Sequence, residues 1–104
     1  MAFEIRDATT LDLPSIVDLN QPIQRQHAAA YPSDFLYPTD PKDVSDFFEK
    51  LLTDESQKVI LATFGDEAVA YLWCEIQRLR PSPFKPSIDR LFVHHICVCS
   101  AYRR

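Results

Sequence analysis

The sequence predicts a layered α/β domain of the α+β kind: strand, helix, helix, then a three-strand antiparallel meander. Three observations carry that expectation. Val44, Phe47, Phe48, Leu51 and Leu52 recur at i, i+3, i+4, i+7 and i+8, the apolar stripe of an amphipathic helix. KVILATF and EAVAYLWCEIQ flank Gly65-Asp66, a tight-turn signal, and read as a hairpin. RLFVHHICV is a third β-rich run, set off by the proline-rich stretch RLRPSPFKPSID. The 104 residues are 46% hydrophobic and 25% charged, which suits one small domain over 1–104 with a modest core.

The elements follow in order. Phe3, Ile5 and Asp7 alternate with Glu4, Arg6 and Ala8, a short opening strand. Thr9 and Asp12 stand at capping-box spacing, and Pro14 is tolerated in a first helical turn. Leu13, Ile16 and Val17 then share one helix face. Pro22 lacks an N–H and its ring crowds the preceding turn, so a break or kink is expected there, before a short segment ending near His27 to Ala30. YPSDFLYPTDP is a loop. Asp40 caps the strongest helix, Pro41 takes its first position, and TDESQ ends it. Arg80-Pro81-Ser82-Pro83-Phe84-Lys85-Pro86 matches a basic residue followed by PxxP, a ligand pattern that a stiff inter-strand connection explains without a partner.

Composition narrows the function. A net charge of −4 argues against nucleic-acid and membrane-surface partners, which select basic patches. No apolar run reaches the length of a membrane span, and MAFEIRDATT does not have the form of a secretory signal. The three cysteines, Cys74, Cys97 and Cys99, are odd in number and lack disulfide-framework spacing. A cytoplasmic protein is expected. One glycine, Gly65, stands against eight prolines, where average usage would give about seven glycines. No glycine-rich phosphate cradle is present in these residues.

The candidates for chemistry sit on the last two strands. His94 and His95 are bases that titrate near neutral pH. Neighbours on a strand point to opposite faces, so only one of the two is expected to face a substrate. Glu75, in WCEI on the preceding strand, could relay a proton or orient an amine. His95, Cys97 and Cys99 share a face, but residues two apart on a flat strand lie about 7 Å from each other, too far to converge on zinc. No metal site is read. Trp73, Tyr71, Tyr31 and Phe35 suit a ligand wall, while Phe47, Phe48, Leu51 and Leu52 are assigned to the core.

Taken together the motifs resemble the GNAT N-acetyltransferase family. Ile5-Arg6-Asp7-Ala8-Thr9-Thr10-Leu11-Asp12-Leu13-Pro14 is similar to its opening strand, IR-x-AT-x-x-DLP. His27-Ala28, Tyr31-Pro32 and Phe35 match a subset of members. The hairpin resembles V-G-Y-x-x-x-E, with Ala70 in place of glycine. The last strand is similar to the family's I-x-V strand, and Arg103 fits the start of the Q/R-x-x-G-x-G/A loop that follows it.

The resemblance implies the N-terminal half of a GNAT fold that stops at the start of its pyrophosphate loop. It implies acetyl-CoA as co-substrate and an amine, on a small molecule or peptide, as acceptor. His94, with Glu75, would be the catalytic group. The main chain at Ile96, Cys97 and Val98 would hold the pantetheine arm, and Arg103 and Arg104 would lie at the pyrophosphate. It implies that these residues alone bind acetyl-CoA weakly and are inactive, and that the last strand, bare on its outer side, pairs a homodimer. The alternative is a non-catalytic fragment or interaction module that pairs through the same strand.

Overall fold

A computed structural model of the chain describes residues 2–103. Strand β1 (Phe3–Asp7) leads through a 3-10 turn (Thr10–Asp12) into helix α1 (Leu13–Ala30). Helix α2 (Pro41–Leu52), strands β2 (Gln57–Phe64), β3 (Glu67–Leu79) and β4 (Ile88–Val98) and a second 3-10 turn (Ser100–Tyr102) complete it. The sheet is antiparallel, in the order β1-β2-β3-β4. The expected layered α/β class and the three-strand meander are both present. Gly65 turns the β2–β3 hairpin with φ of 62°, a region that costs glycine nothing.

Both helices lie on one face of the sheet. Leu13 and Ile16 of α1 and Phe48 and Leu51 of α2 pack on Val59, Leu61, Tyr71 and Cys97. The apolar stripe of α2 does what its spacing predicts, with one exception. Phe48 is 2% exposed, but its neighbour Phe47 is 50% exposed and belongs to a cleft wall rather than the core. On the other face of the sheet, Ile5, Ile76, Leu91, Val93 and Ile96 stand open to solvent.

The segment before α1 is tied down by charge. Asp12 accepts from Arg6 Nη1 and Nη2 at 2.7 and 2.8 Å and from the Thr9 N–H at 2.8 Å. That fork, helped by the Thr9 contact, pulls the Asp12 carboxyl down to about 2. The Thr9–Asp12 spacing thus forms a box, but around a 3-10 turn, with α1 beginning one residue later.

Two expectations are corrected. Pro22 does not break the helix: α1 is continuous from Leu13 to Ala30. Its buried residues, Leu13, Ile16, Val17 and Asn20, all precede the proline, and Pro22 itself is exposed. The one hydrogen bond that proline removes is therefore lost at a solvated face, the carbonyl four residues back belonging to exposed Asp18. The turns around and beyond it are held from the side. Gln21 Nε2 donates to Thr39 Oγ1 at 3.2 Å and Gln24 Nε2 to the Leu36 carbonyl at 2.7 Å.

The second correction concerns the histidines. Trp73 pairs with His95 but Cys74 pairs with Val93, so His94 is an extra residue, a β-bulge in β4. Strict alternation fails there. His94 stacks on Trp73 with ring centroids 4.2 Å apart, and His95 meets the same indole edge-on at 4.8 Å. Both histidines face the helices.

Candidate active site

Two clefts open on the helix-covered face, and the bulge gives each a histidine. The first, about 470 Å³, lies between α1, the 36–40 loop, α2 and β4. Asn20, Leu36, Tyr37, Asp43, Phe47, Phe48 and His95 are among its lining residues. Gln21 and Gln24 hold the loop that forms its outer wall. The second, about 340 Å³, lies between α2 and strands β2–β4, with Lys50, Gln57, Trp73, Glu75 and His94. Phe47 borders both.

In the second cleft the structure brings together the two residues that the sequence proposed for chemistry. His94 Nε2 and Glu75 Oε1 are 2.8 Å apart. The Glu75 carboxyl is held below its ordinary range, mainly by this hydrogen bond and also by Gln77. An ionised carboxylate only accepts, so His94 Nε2 carries the proton. In neutral His94 the other nitrogen, Nδ1, is then the bare base. Trp73 fixes the ring from its face, and Gln57 in turn accepts from Trp73 Nε1 at 2.7 Å.

His95 is differently placed. Its Nδ1 lies 3.0 Å from the Tyr71 hydroxyl, and Asn20 Nδ2 donates to that hydroxyl at 3.1 Å. Burial holds the His95 imidazole below its ordinary range, with His27 and His94 contributing. Burial also raises the Tyr71 phenol, which stays neutral.

The remaining candidates scatter along the end of β4. The Cys99 N–H donates to the Val69 carbonyl at 2.8 Å. Alternation along an antiparallel strand then turns the main chain of Cys97 toward β3 and that of Ile96 and Val98 outward, to an edge with no strand neighbour among the described residues. The Cys97 thiol is wholly buried against the helices, and burial raises it. Arg103 is exposed just beyond the 100–102 turn. Arg104 lies outside the described residues.

Of the expected wall residues, Trp73 lines the second cleft, Tyr71 lies buried beneath the first, Tyr31 is exposed, and Phe35 packs on His27 with centroids 4.9 Å apart. The first cleft takes its aromatic walls instead from Phe47, Phe48 and Tyr37. Sequence reasoning missed Asn20. The signal was present, since Leu13, Ile16, Val17 and Asn20 continue one apolar stripe and Asn20 is its sole polar member.

No family model matches this chain, and no curated protein matches it. Solved structures do. A mutant of the BH1408 protein from Bacillus halodurans is 17% identical, with a TM-score of 0.83, over 96% of this chain and 64% of that one. An aminoglycoside antibiotic 6'-N-acetyltransferase from Acinetobacter baumannii is 17% identical, TM-score 0.70, over 97% of this chain and 60% of that one. A predicted acetyltransferase from Clostridium acetobutylicum, solved with acetyl-CoA, is 12% identical, TM-score 0.72, over 98% of this chain and 63% of that one. The chain therefore has the fold of GNAT-type acetyltransferases. It spans 60–64% of the length of these three.

Proposed function

We propose that the chain carries the catalytic strand and the acceptor side of an acetyl-CoA-dependent N-acetyltransferase. Acetyl-CoA supplies the activated acetyl group. The amine lone pair attacks the thioester carbonyl; the N–C bond forms, the C–S bond breaks, and the sulfur leaves with coenzyme A. His94 Nδ1 takes the proton from the amine, while Glu75 fixes the imidazole and balances the charge it gains. The outward N–H and C=O groups of Ile96 and Val98 pair with the amides of the pantetheine arm, as an added strand would. Cys97 contributes position rather than contacts, since its main-chain groups are paired with β3. Arg103 and Arg104 serve the phosphates. The acceptor is an amine on a small molecule or peptide, and a cytoplasmic setting suits the free thiols.

The observation that carries this reading is the His94–Glu75 pair, 2.8 Å apart, two residues before Ile96, whose main chain, like that of Val98, meets no other strand among the described residues. The solved relatives support it by their names: one is an N-acetyltransferase of an amine-bearing antibiotic, and another was solved with acetyl-CoA.

Among these 104 residues the single glycine, Gly65, serves the hairpin turn, so a glycine-bearing phosphate loop is not supplied. Two lost charge-assisted hydrogen bonds, at about 1.5–3 kcal/mol each, weaken binding at least about a hundredfold. The 104-residue polypeptide should therefore bind acetyl-CoA only at high micromolar to millimolar concentration and not turn over. Titration followed by amide NMR tests both parts. Shifts centred on Ile96 and Val98 are expected. Unmoved β4 amides at millimolar acetyl-CoA would remove the pantetheine assignment, and micromolar affinity would refute the weak-binding claim.

A further inference from the structure

We propose that the floor of the larger cleft carries one donor and one acceptor, His95 Nε2–H and Asn20 Oδ1, which together take a hydroxyl or carboxamide group of the bound molecule. Naming that molecule the amine acceptor rests on the acetyltransferase reading; the pair itself does not.

The direction of each proton follows from the partners. Tyr71 is 2% exposed and Asn20 4%. The Asn20 Nδ2 group can only donate, so the Tyr71 oxygen accepts there. The phenol has one proton to give. Its strong acceptor is His95 Nδ1, 3.0 Å away, and the Cys97 thiol nearby is a poor one. Nδ1 is therefore bare, and the imidazole proton sits on Nε2. The titratable groups around this ring and its cleft are His27 of α1, Tyr37 and Asp40 of the 36–40 loop, Asp43 of α2, Tyr71 of β3, and His94 and Cys97 of β4.

Among the described residues neither His95 Nε2 nor Asn20 Oδ1 has a hydrogen-bond partner. Among the described residues no buried side-chain nitrogen or oxygen is left unpaired. Both atoms must therefore reach open space, and both residues line the larger cleft. Its floor offers one donor and one acceptor, linked through a single phenol.

That pairing selects. A hydroxyl or a carboxamide both accepts and donates. An ammonium would leave Nε2–H unmatched, and a carboxylate would leave Oδ1 unmatched, each at the cost of an unpaired polar atom. Above the floor, Leu36, Tyr37, Phe47 and Phe48 make an apolar wall, so the group is borne on an apolar or aromatic body. His95 is thus a specificity-determining residue, with a role complementary to that of its neighbour. His94 presents a bare nitrogen and His95 a protonated one.

Two measurements on the 104-residue chain test this. Nitrogen-15 NMR of labelled histidines at pH 7 should show His95 with a protonated Nε2 and a bare Nδ1, and Tyr71→Phe should collapse this into a mixture of tautomers. The reverse tautomer, with the Asn20 amide turned over, would overturn the assignment. Fragment titration then compares phenol and benzamide with toluene. Phenol and benzamide should bind at least about tenfold tighter, with shifts at Asn20 and His95, and His95→Leu should erase the difference. Equal affinities, or no binding by phenol or benzamide, would overturn the ligand class. These fragments carry no aliphatic amine and need no acetyl donor. Their result is therefore independent of whether the protein transfers acetyl groups.

Discussion

Phe48→Ala should be the most damaging single truncation in α2. The ring is 2% exposed and meets Phe47, Tyr71 and Trp73 edge-on at centroid distances of 5.4, 5.7 and 5.8 Å. Truncating a buried phenylalanine costs about 3–5 kcal/mol. A domain of this length holds roughly 5–15 kcal/mol in all, so the variant loses about a fifth or more of its stability. With a urea slope of about 2 kcal/mol per molar, the midpoint should fall by about 2 M. Phe47→Ala is the internal control. Its ring is half exposed, and its removal should cost about 1 kcal/mol, mostly through the contact with Trp73. Paired urea titrations followed by Trp73 fluorescence and circular dichroism read both. A loss below about 1 kcal/mol at Phe48, or a larger loss at Phe47, would show that α2 does not pack on the sheet by the stripe described.

Three further outcomes are expected. Asp12 is held at about 2 in the folded chain against an ordinary 3.8, so its contribution is fully present above about pH 5 and disappears as pH falls toward 2. With Arg6 half exposed this amounts to about 1–2 kcal/mol; Asp12→Asn should lose all of it at pH 7 and only about a third of it at pH 2.5, and equal losses at both would refute the account. In any form of the protein that turns over, His94→Ala should lower kcat by about 10²–10⁴-fold, whereas His95→Ala should mainly raise KM; equal effects on kcat across pH would take His94 out of the mechanism. At tens of micromolar the 104-residue chain should self-associate through the open edge of β4, and a monodisperse monomer by sedimentation with fast amide exchange along Val93–Val98 would show that the edge is tolerated bare.

The legible parts of the fold were those with one dominant period. Helix α2 and the β2–β3 hairpin follow from side-chain spacing and from a single glycine in a turn, and both formed where the pattern put them. Pro22 was misread because the local rule counts one lost hydrogen bond and knows nothing of Gln21 and Gln24 bracing the helix against a distant loop. Phe47 fits the stripe as well as Phe48, and only the position of α2 over the sheet separates core from cleft wall. The site was half legible. His94 and Glu75 could be named from residue type and strand adjacency, but a bulge leaves no mark on an alternating run of apolar residues. The Asn20–Tyr71–His95 connection spans 51 residues in one link and 24 in the other, beyond the reach of any local pattern.

The extra residue in β4 has a genetic corollary. Deleting one residue from a paired strand ordinarily throws every side chain beyond it to the wrong side of the sheet. Here the pairing with β3 is already offset by one residue between Trp73 and Cys74. Loss of a single codon at 94 or 95 would cancel that offset, and the pairings of Ile88–Val93 and of Ile96–Val98 would both survive. The strand would keep its inside and outside and be left with one histidine on the helix side instead of two. Gain or loss of a second reactive group on this wall is then a one-codon event that leaves the register of the sheet intact.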